Sequence, residues 1–218
     1  GLGLPDRDYY FKDDERSVEL REAYVAHVEK MFDLAGFDDP AGSAAMLMAL
    51  ETELAENHWT NVENRDSEAR YNKFATDELD TLGEAVNWPL YLAEAGLSGE
   101  SDIIVNQPSY LEGFNRIFAS TSLEDWKTFL RWNLLNNFAS HLNSALDDQN
   151  FDFYGRTLEG QKEQRPRWKR AVDVVNGSLG EVIGKVYVKR YFPPEAKERM
   201  VELVSNLTAA YGEALDEL

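Results

Sequence analysis

The sequence predicts an all-α fold with at most one or two short strands. Three observations predict it: apolar residues recur every three or four positions along most of the chain, Pro40, Pro89, Pro166 and Pro194 stand where such stripes begin, and a single run reads as β. Leu20, Tyr24, Val28, Met31 and Ala35 share one face of a helix from Ser17 to Ala35, which Gly36 ends. A second helix starts at Pro40 or Ala41, where proline loses no hydrogen bond, and carries Met46, Leu50 and Leu54 toward Asn57. Asn61 to Asp66 is a polar break. Thr76 is placed to cap a short helix through Leu79, Leu82 and Val86, and Pro89 to open one from Trp88 to about Ala95, closed by Gly96 and Gly99.

The β-type run is Ile103 to Asn106, between Asp102 and Pro108. A lone strand is not stable, so it must pair, within the chain or outside it. Helix resumes near Ser109 and breaks near Ser120. Ser122 and Asp125 resemble a capping box, with Asp for the usual Glu, ahead of the longest stripe: Trp126, Phe129, Leu130, Leu134, Phe138, Leu142 and Ala145. This stripe is the expected core helix. Pro166 opens another, and Pro193-Pro194 stops it and launches the last, with Met200, Leu203, Val204, Leu207, Tyr211 and Leu215 along one side.

Composition limits the function. The 218 residues include 40 Asp and Glu against 22 Lys and Arg, a net charge of −18. A field of that sign slows a polyanion's approach, so nucleic acid and anionic membrane surfaces are not expected partners. At 43% hydrophobic and 12% aromatic the chain is far from a disordered composition and is expected to fold as one elongated helical unit, with a compact radius of gyration of roughly 17 Å. The absence of cysteine removes disulfides, thiolate zinc sites and thiol nucleophiles. Nothing approaches the ~18 consecutive apolar residues of a membrane span, and no membrane contact by this segment is expected.

The three histidines do not form a zincin helix, which needs H-E-x-x-H so that two imidazoles one turn apart reach the same metal. His27 is followed by Val-Glu-Lys-Met, His58 by Trp-Thr-Asn-Val and His141 by Leu-Asn-Ser-Ala, so each reads as an ordinary histidine with a hydrogen-bond partner. Asp148, Asn150, Asp152 and Glu159 imitate the first, third, fifth and twelfth positions of a calcium loop, but Phe153 stands where glycine is needed and Arg156 brings a positive charge. The favoured reading is a connection between helices, anchored by Phe151, Phe153 and Tyr154. The pairs Asp13-Asp14, Asp38-Asp39 and Asp147-Asp148 read as solvated faces. The sequons at Asn176 and Asn206 lie in expected helices. The basic stretch from Lys162 to Arg170, with Trp168, reads as pairing with acids inside the fold.

A wider pattern joins these residues. Gly1-Leu2-Gly3-Leu4-Pro5-Asp6-Arg7-Asp8-Tyr9-Tyr10 resembles the G-L-x-L-P-x-R/K-x-Y-Y segment of the neprilysin and endothelin-converting-enzyme family of zinc metallopeptidases. Tyr71-Asn72-Lys73 is similar to that family's Y-N-K step, Leu130-Arg131-Trp132 falls in its long central helix, and Phe151 to Gly155 matches its F-x-x-x-L-Y-G type segment with Phe153 for leucine. Arg167-Trp168-Lys169-Arg170, Val175-Asn176-Gly177, Gly184-Lys185 and Tyr187-Val188 resemble its W-R/K-R, V-N-G and G-x-x-Y-V series.

The resemblance implies that residues 1–218 are part of the helical N-terminal lobe, a lid that admits oligopeptides to an internal cavity. Its partners would be the catalytic lobe of the same polypeptide and the oligopeptide substrates, cut on the amino side of hydrophobic residues. Zinc and its H-E-x-x-H helix would lie outside this chain, so catalytic residues none, metal ligands none and substrate-binding residues unknown are the expectations here. The resemblance further implies a periplasmic or extracellular location, with a cytoplasmic one possible, and the lack of cysteine a bacterial-type member. The alternatives are a stand-alone acidic helical module that binds peptides or proteins and, less favoured, a helical enzyme using carboxylates alone. A lid portion is also expected to show an uncovered apolar face.

Overall fold

The computed structural model describes residues 1–216 and divides the chain into two compact units, Gly1–Glu163 and Gln164–Leu218, where the length suggested one. The fold is helical with one two-stranded sheet.

In the first unit a short helix α1 (Asp8–Phe11) leads into α2 (Glu15–Leu34), which Asp14 caps by accepting from the Ser17 amide at 3.0 Å. Gly36, at φ 77°, ends α2 in a left-handed turn in which Phe37 N donates to the Phe32 carbonyl at 3.1 Å and Gly36 N to that of Asp33 at 3.0 Å. The rings of Phe32 and Phe37 meet edge-on at 4.9 Å, the apolar contact that usually accompanies this stop. Asp39 then caps α3 (Pro40–Glu56), with Pro40 in its first turn as expected. Asp14 and Asp39 are thus helix caps, and Asp147 is buried, so these acids are not simply a solvated face.

The α2 and α3 pair holds the main core, built on Tyr24, Val28, Met31, Phe32, Leu47, Leu50 and Leu54. In its middle lies Glu51, with no exposed surface. Its Oε2 accepts from the Tyr10 hydroxyl at 2.7 Å and the Gly3 amide at 3.2 Å, and its Oε1 from the Tyr24 hydroxyl at 3.0 Å. Tyr10 Oη accepts the Leu4 amide at 3.1 Å, and Tyr154 Oη donates to the Gly3 carbonyl at 3.1 Å. Burial pushes the Glu51 carboxyl above its ordinary value against these donors, and raises Tyr10 and Tyr24 as well. Gly3 is required by close approach: a Cβ there would stand 1.8 Å from Tyr24 Oη.

A smaller core follows. Strand β1 (Asn72–Ala75) leads into a 3-10 helix over Thr76–Leu82, then α4 (Trp88–Glu94), capped by Asn87, and strand β2 (Asp102–Val105). The strand read from sequence therefore pairs inside the chain, antiparallel to β1, with Phe74 opposite Ile103. Sequence reading missed β1 because its four residues, Asn-Lys-Phe-Ala, show no β-branched run. Thr76 does not cap; its hydroxyl donates to the Glu100 carbonyl at 3.3 Å, and the Glu78 carboxylate reaches back to the Ala75 amide. Leu79, Leu82, Trp88, Leu92 and Val105 close this second core.

Helix α5 (Pro108–Ser120) and α6 (Leu123–Phe138) follow, the latter capped by Ser122 as predicted. The long stripe does not run on: a 3-10 turn at Ala139–His141 interrupts it, and α7 (Ser144–Asn150) restarts on an Asn143 cap. Only the start of that stripe faces the core, where Phe129 is buried and Trp126 packs beside it. Phe129 and Trp132 are buried, whereas Leu130, Leu134 and Phe138 are 64%, 62% and 53% exposed. Phe151–Leu158 is a π-helix continuing α7 rather than a loop, with Phe153 buried against Tyr24. The wider helix places both Phe153 and Gly155 inside, a spacing that helical periodicity does not anticipate.

The second unit consists of α8 (Arg167–Tyr191), with Pro166 at its N-cap, and α9 (Pro194–Asp216). Both sequons fall within these helices. No described residue of this unit is buried, and Val182, Val186, Tyr187, Leu203, Leu207 and Tyr211 are all more than half exposed.

Removing the Glu51 carboxylate leaves two buried tyrosine hydroxyls and a cavity, so Glu51→Ala should lower stability by about 3 kcal/mol or more, and Tyr10→Phe by about 1–2 kcal/mol. Urea unfolding followed by circular dichroism checks both, and equal, small losses would show the network to be dispensable.

Candidate functional site

The structure keeps the three histidines apart. His27, on α2, is 2% exposed, stacked on Phe153 at 4.8 Å and edge-on to Trp132 at 5.6 Å. Its Nδ1 lies 3.3 Å from the Gln149 amide nitrogen and its Nε2 has no hydrogen-bond partner. Burial pushes its pKa down to about 4, so the ring is neutral at pH 7. His58 is half-buried against Tyr110, ring centroids 4.2 Å apart, and burial lowers its pKa too. His141 is exposed beside Phe138.

Among the described residues no three His, Asp or Glu side chains are grouped to hold a metal ion. The calcium pattern dissolves in the same way: Asp148 and Asn150 lie on α7, and Asp152 on the π-helix pairs with Arg156. In the basic stretch, Arg165 pairs with Asp173 at 2.6 Å, while Trp168 is 66% exposed with Lys169 over its ring.

What the structure does bring together is an apolar cleft of about 1040 Å³ in the first unit. One wall is α4 with Trp88 and Tyr91, another is β2 with Ile103, Ile104 and Val105, and the third is α5. Tyr110, Phe114 and Phe118 stand one turn apart on α5, with ring centroids 6.2 and 5.7 Å from one to the next, and His58 closes the end beyond Tyr110. Polar ties hold these walls. Asn115 on α5 accepts from Ala85 N at 2.8 Å and donates to the Leu82 and Leu111 carbonyls. Gln107 accepts from Trp59 N at 2.9 Å and donates to Asn64 Oδ1 at 2.9 Å. Glu94 is the one charged residue of the lining. Sequence reading missed this site, although aromatics at 110, 114 and 118, four apart, were a usable signal.

Residues 1–218 match the family model described as "Peptidase family M13", in its N-terminal part. The chain belongs to peptidase family M13. Human endothelin-converting enzyme 1 is 29% identical across all of this chain, which covers 29% of that protein. The open-state structure of the Mycobacterium tuberculosis zinc metalloprotease Zmp1 matches with a TM-score of 0.87 and 40% identity over the whole chain and 34% of its own. The same enzyme with an inhibitor bound matches at 0.81 and 38%. The chain thus spans about a third of the length of these M13 relatives. No helix among the described residues is long and apolar enough to cross a membrane.

His27 fixes a pH response. In the unfolded chain it binds a proton below about 6.5, whereas in the fold it does so only below about 4. The unfolded state therefore takes up more protons between these values, and stability falls as pH drops from about 6.5 to about 4, by ~3 kcal/mol at most from this residue. Glu51, with its raised value, contributes in the opposite direction, losing stability as pH rises. The His27→Asn variant should lose the histidine part alone. Urea unfolding at pH 7 and pH 4.5 would show a smaller difference between the two pH values than in the unsubstituted protein; an unchanged difference would remove His27 as the cause.

Proposed function

We propose that this chain is the non-catalytic, substrate-gating lid portion of an M13 zinc metalloendopeptidase. The polypeptide's catalytic lobe supplies the zinc ligands and the base that activates water. The observation that carries the reading is the family match over the whole chain, which spans about a third of the length of its M13 relatives. The uncovered apolar faces support it: Leu130, Leu134 and Phe138 on α6, and both helices of the second unit, present the surface expected of a part that packs against another lobe.

The gating reading extends to substrates. A lid over an internal cavity admits oligopeptides and excludes folded proteins, and cleavage falls on the amino side of hydrophobic residues. The charge of −18 favours basic and neutral peptides over acidic ones. The protein works outside the cytoplasm, in the periplasm or beyond the cell. It is a bacterial-type member, a reading supported by its 40% identity to the mycobacterial enzyme against 29% to the human one.

The test compares the full-length polypeptide with this chain on a quenched peptide library, with and without a zinc chelator. Chelator-sensitive hydrolysis by the full-length protein alone is the expected result. Hydrolysis by neither would leave a peptide-binding module, the reading that the apolar cleft favours, and chelator-resistant hydrolysis by this chain would point to its carboxylates.

A further inference from the structure

We infer that the cleft between α4, β2 and α5 binds an extended peptide segment as a third strand on β2, taking a bulky apolar side chain against its aromatic wall and a basic one near Glu94. The inference does not rest on the peptidase reading, because it is tested by binding alone, without hydrolysis.

The ladder shows which backbone groups are free. Thr76 N donates to the Ser101 carbonyl at 3.0 Å, one step beyond the Ala75 and Asp102 pair. Opposed residues in an antiparallel pair alternate between exchanging hydrogen bonds and not doing so. Counting back, Phe74 with Ile103 and Asn72 with Val105 exchange bonds, whereas Lys73 with Ile104 does not. The N–H and C=O of Ile104 therefore point away from β1, and among the described residues the sheet has no third strand to meet them.

The cleft lies along that edge. Side chains of successive strand residues alternate between the two faces, yet Ile103, Ile104, Val105 and Asn106 all line it. A hollow on one face would take every second residue; one lined by consecutive residues opens on the strand's edge. Its volume suits a short peptide stretch. Main-chain bonds to Ile104 would give register, and side-chain pockets would give selectivity, as in strand addition generally.

Charge selects the occupant. The lining has one carboxylate, Glu94, and no cation, and the only cation on the two strands, Lys73, is already paired with Asp102 at 3.2 Å. A second copy of this chain would bring a further net charge of −18 and, in β2, no basic residue. A basic, apolar peptide meets the opposite field.

The experiment is fluorescence polarisation of this chain with a fluorescein-labelled peptide, acetylated in the alternating order Thr, Val, Thr, Phe, Thr, Arg, Thr, and with its Arg-to-Gln counterpart. Ile104→Pro removes an outward N–H without taking a ladder bond, and should weaken binding about tenfold. Tyr91→Ala should weaken it by about fivefold through lost apolar contact, and circular dichroism confirms that each variant folds. Glu94→Gln should weaken the Arg peptide about threefold and leave the Gln peptide unchanged. Absence of saturable binding, or equal binding by Ile104→Pro and Tyr91→Ala, overturns the proposal. So does a dimer in sedimentation that Ile104→Pro dissociates, which assigns the edge to a second copy. Loss of binding in the full-length polypeptide overturns it too, by assigning the cleft to another segment of that polypeptide.

Discussion

The first unit depends on one buried carboxylate. Glu51 sits where the α2 and α3 faces meet, and a charge there is tolerable only because Gly3, Tyr10 and Tyr24 aim donors at it. Those donors come from the N-terminal segment, α1 and α2, and Tyr154 on the π-helix ties the same segment from the other side at the Gly3 carbonyl. Four pieces of chain, separated by up to 151 positions, are thereby fixed to one point. An apolar residue at 51 could fill the volume, but nothing would then hold the N-terminal segment at a single register, since Leu4 is its only buried apolar residue before α1. The network specifies as well as stabilises.

That anchoring decides where His27 lies. It is one turn from Tyr24, and the π-helix that brings Tyr154 to Gly3 also lays Phe153 flat on the imidazole. Burial drives Glu51 and His27 alike toward their uncharged forms, from opposite sides of neutrality. Their pH dependences oppose each other, so the loss of stability that His27 brings on acidification is partly offset by Glu51.

The helical architecture was legible in the sequence, and so were several of its starts and stops, because Pro40, Gly36, Ser122 and Pro166 act locally and need no knowledge of the rest of the chain; Asp14 and Asp39, read as solvated acids, turned out to be caps. The N-terminal motif was also legible, and the structure explains it: Gly3, Leu4 and Tyr10 are all parts of the Glu51 network. Glu51 itself left a trace, a charge between Leu47 and Leu54 on an apolar stripe, which a reading centred on Met46, Leu50 and Leu54 passed over. The rest was hidden for physical reasons. Strand β1 is defined by its partner rather than by its residues. The stripe on α6 misled in part because apolar periodicity marks a face to be covered without saying by what: Phe129 is covered as expected, but Trp132, outside the stripe, shares that face while Leu130, Leu134 and Phe138 stay exposed. The cleft depends on three elements converging, which no local pattern encodes.

The exposed stripe on α6 and the bare helices α8 and α9 present the same problem to a chain this acidic. Apolar area favours association in proportion to its extent, while charges of like sign oppose the approach of an identical copy over about a Debye length, ~8 Å at physiological salt. Self-association satisfies the first and aggravates the second. A covering partner that is less acidic, or basic, satisfies both, and one joined in the same polypeptide also avoids the entropy of finding it. Composition and exposed faces together therefore favour a cover of unlike charge over a second copy.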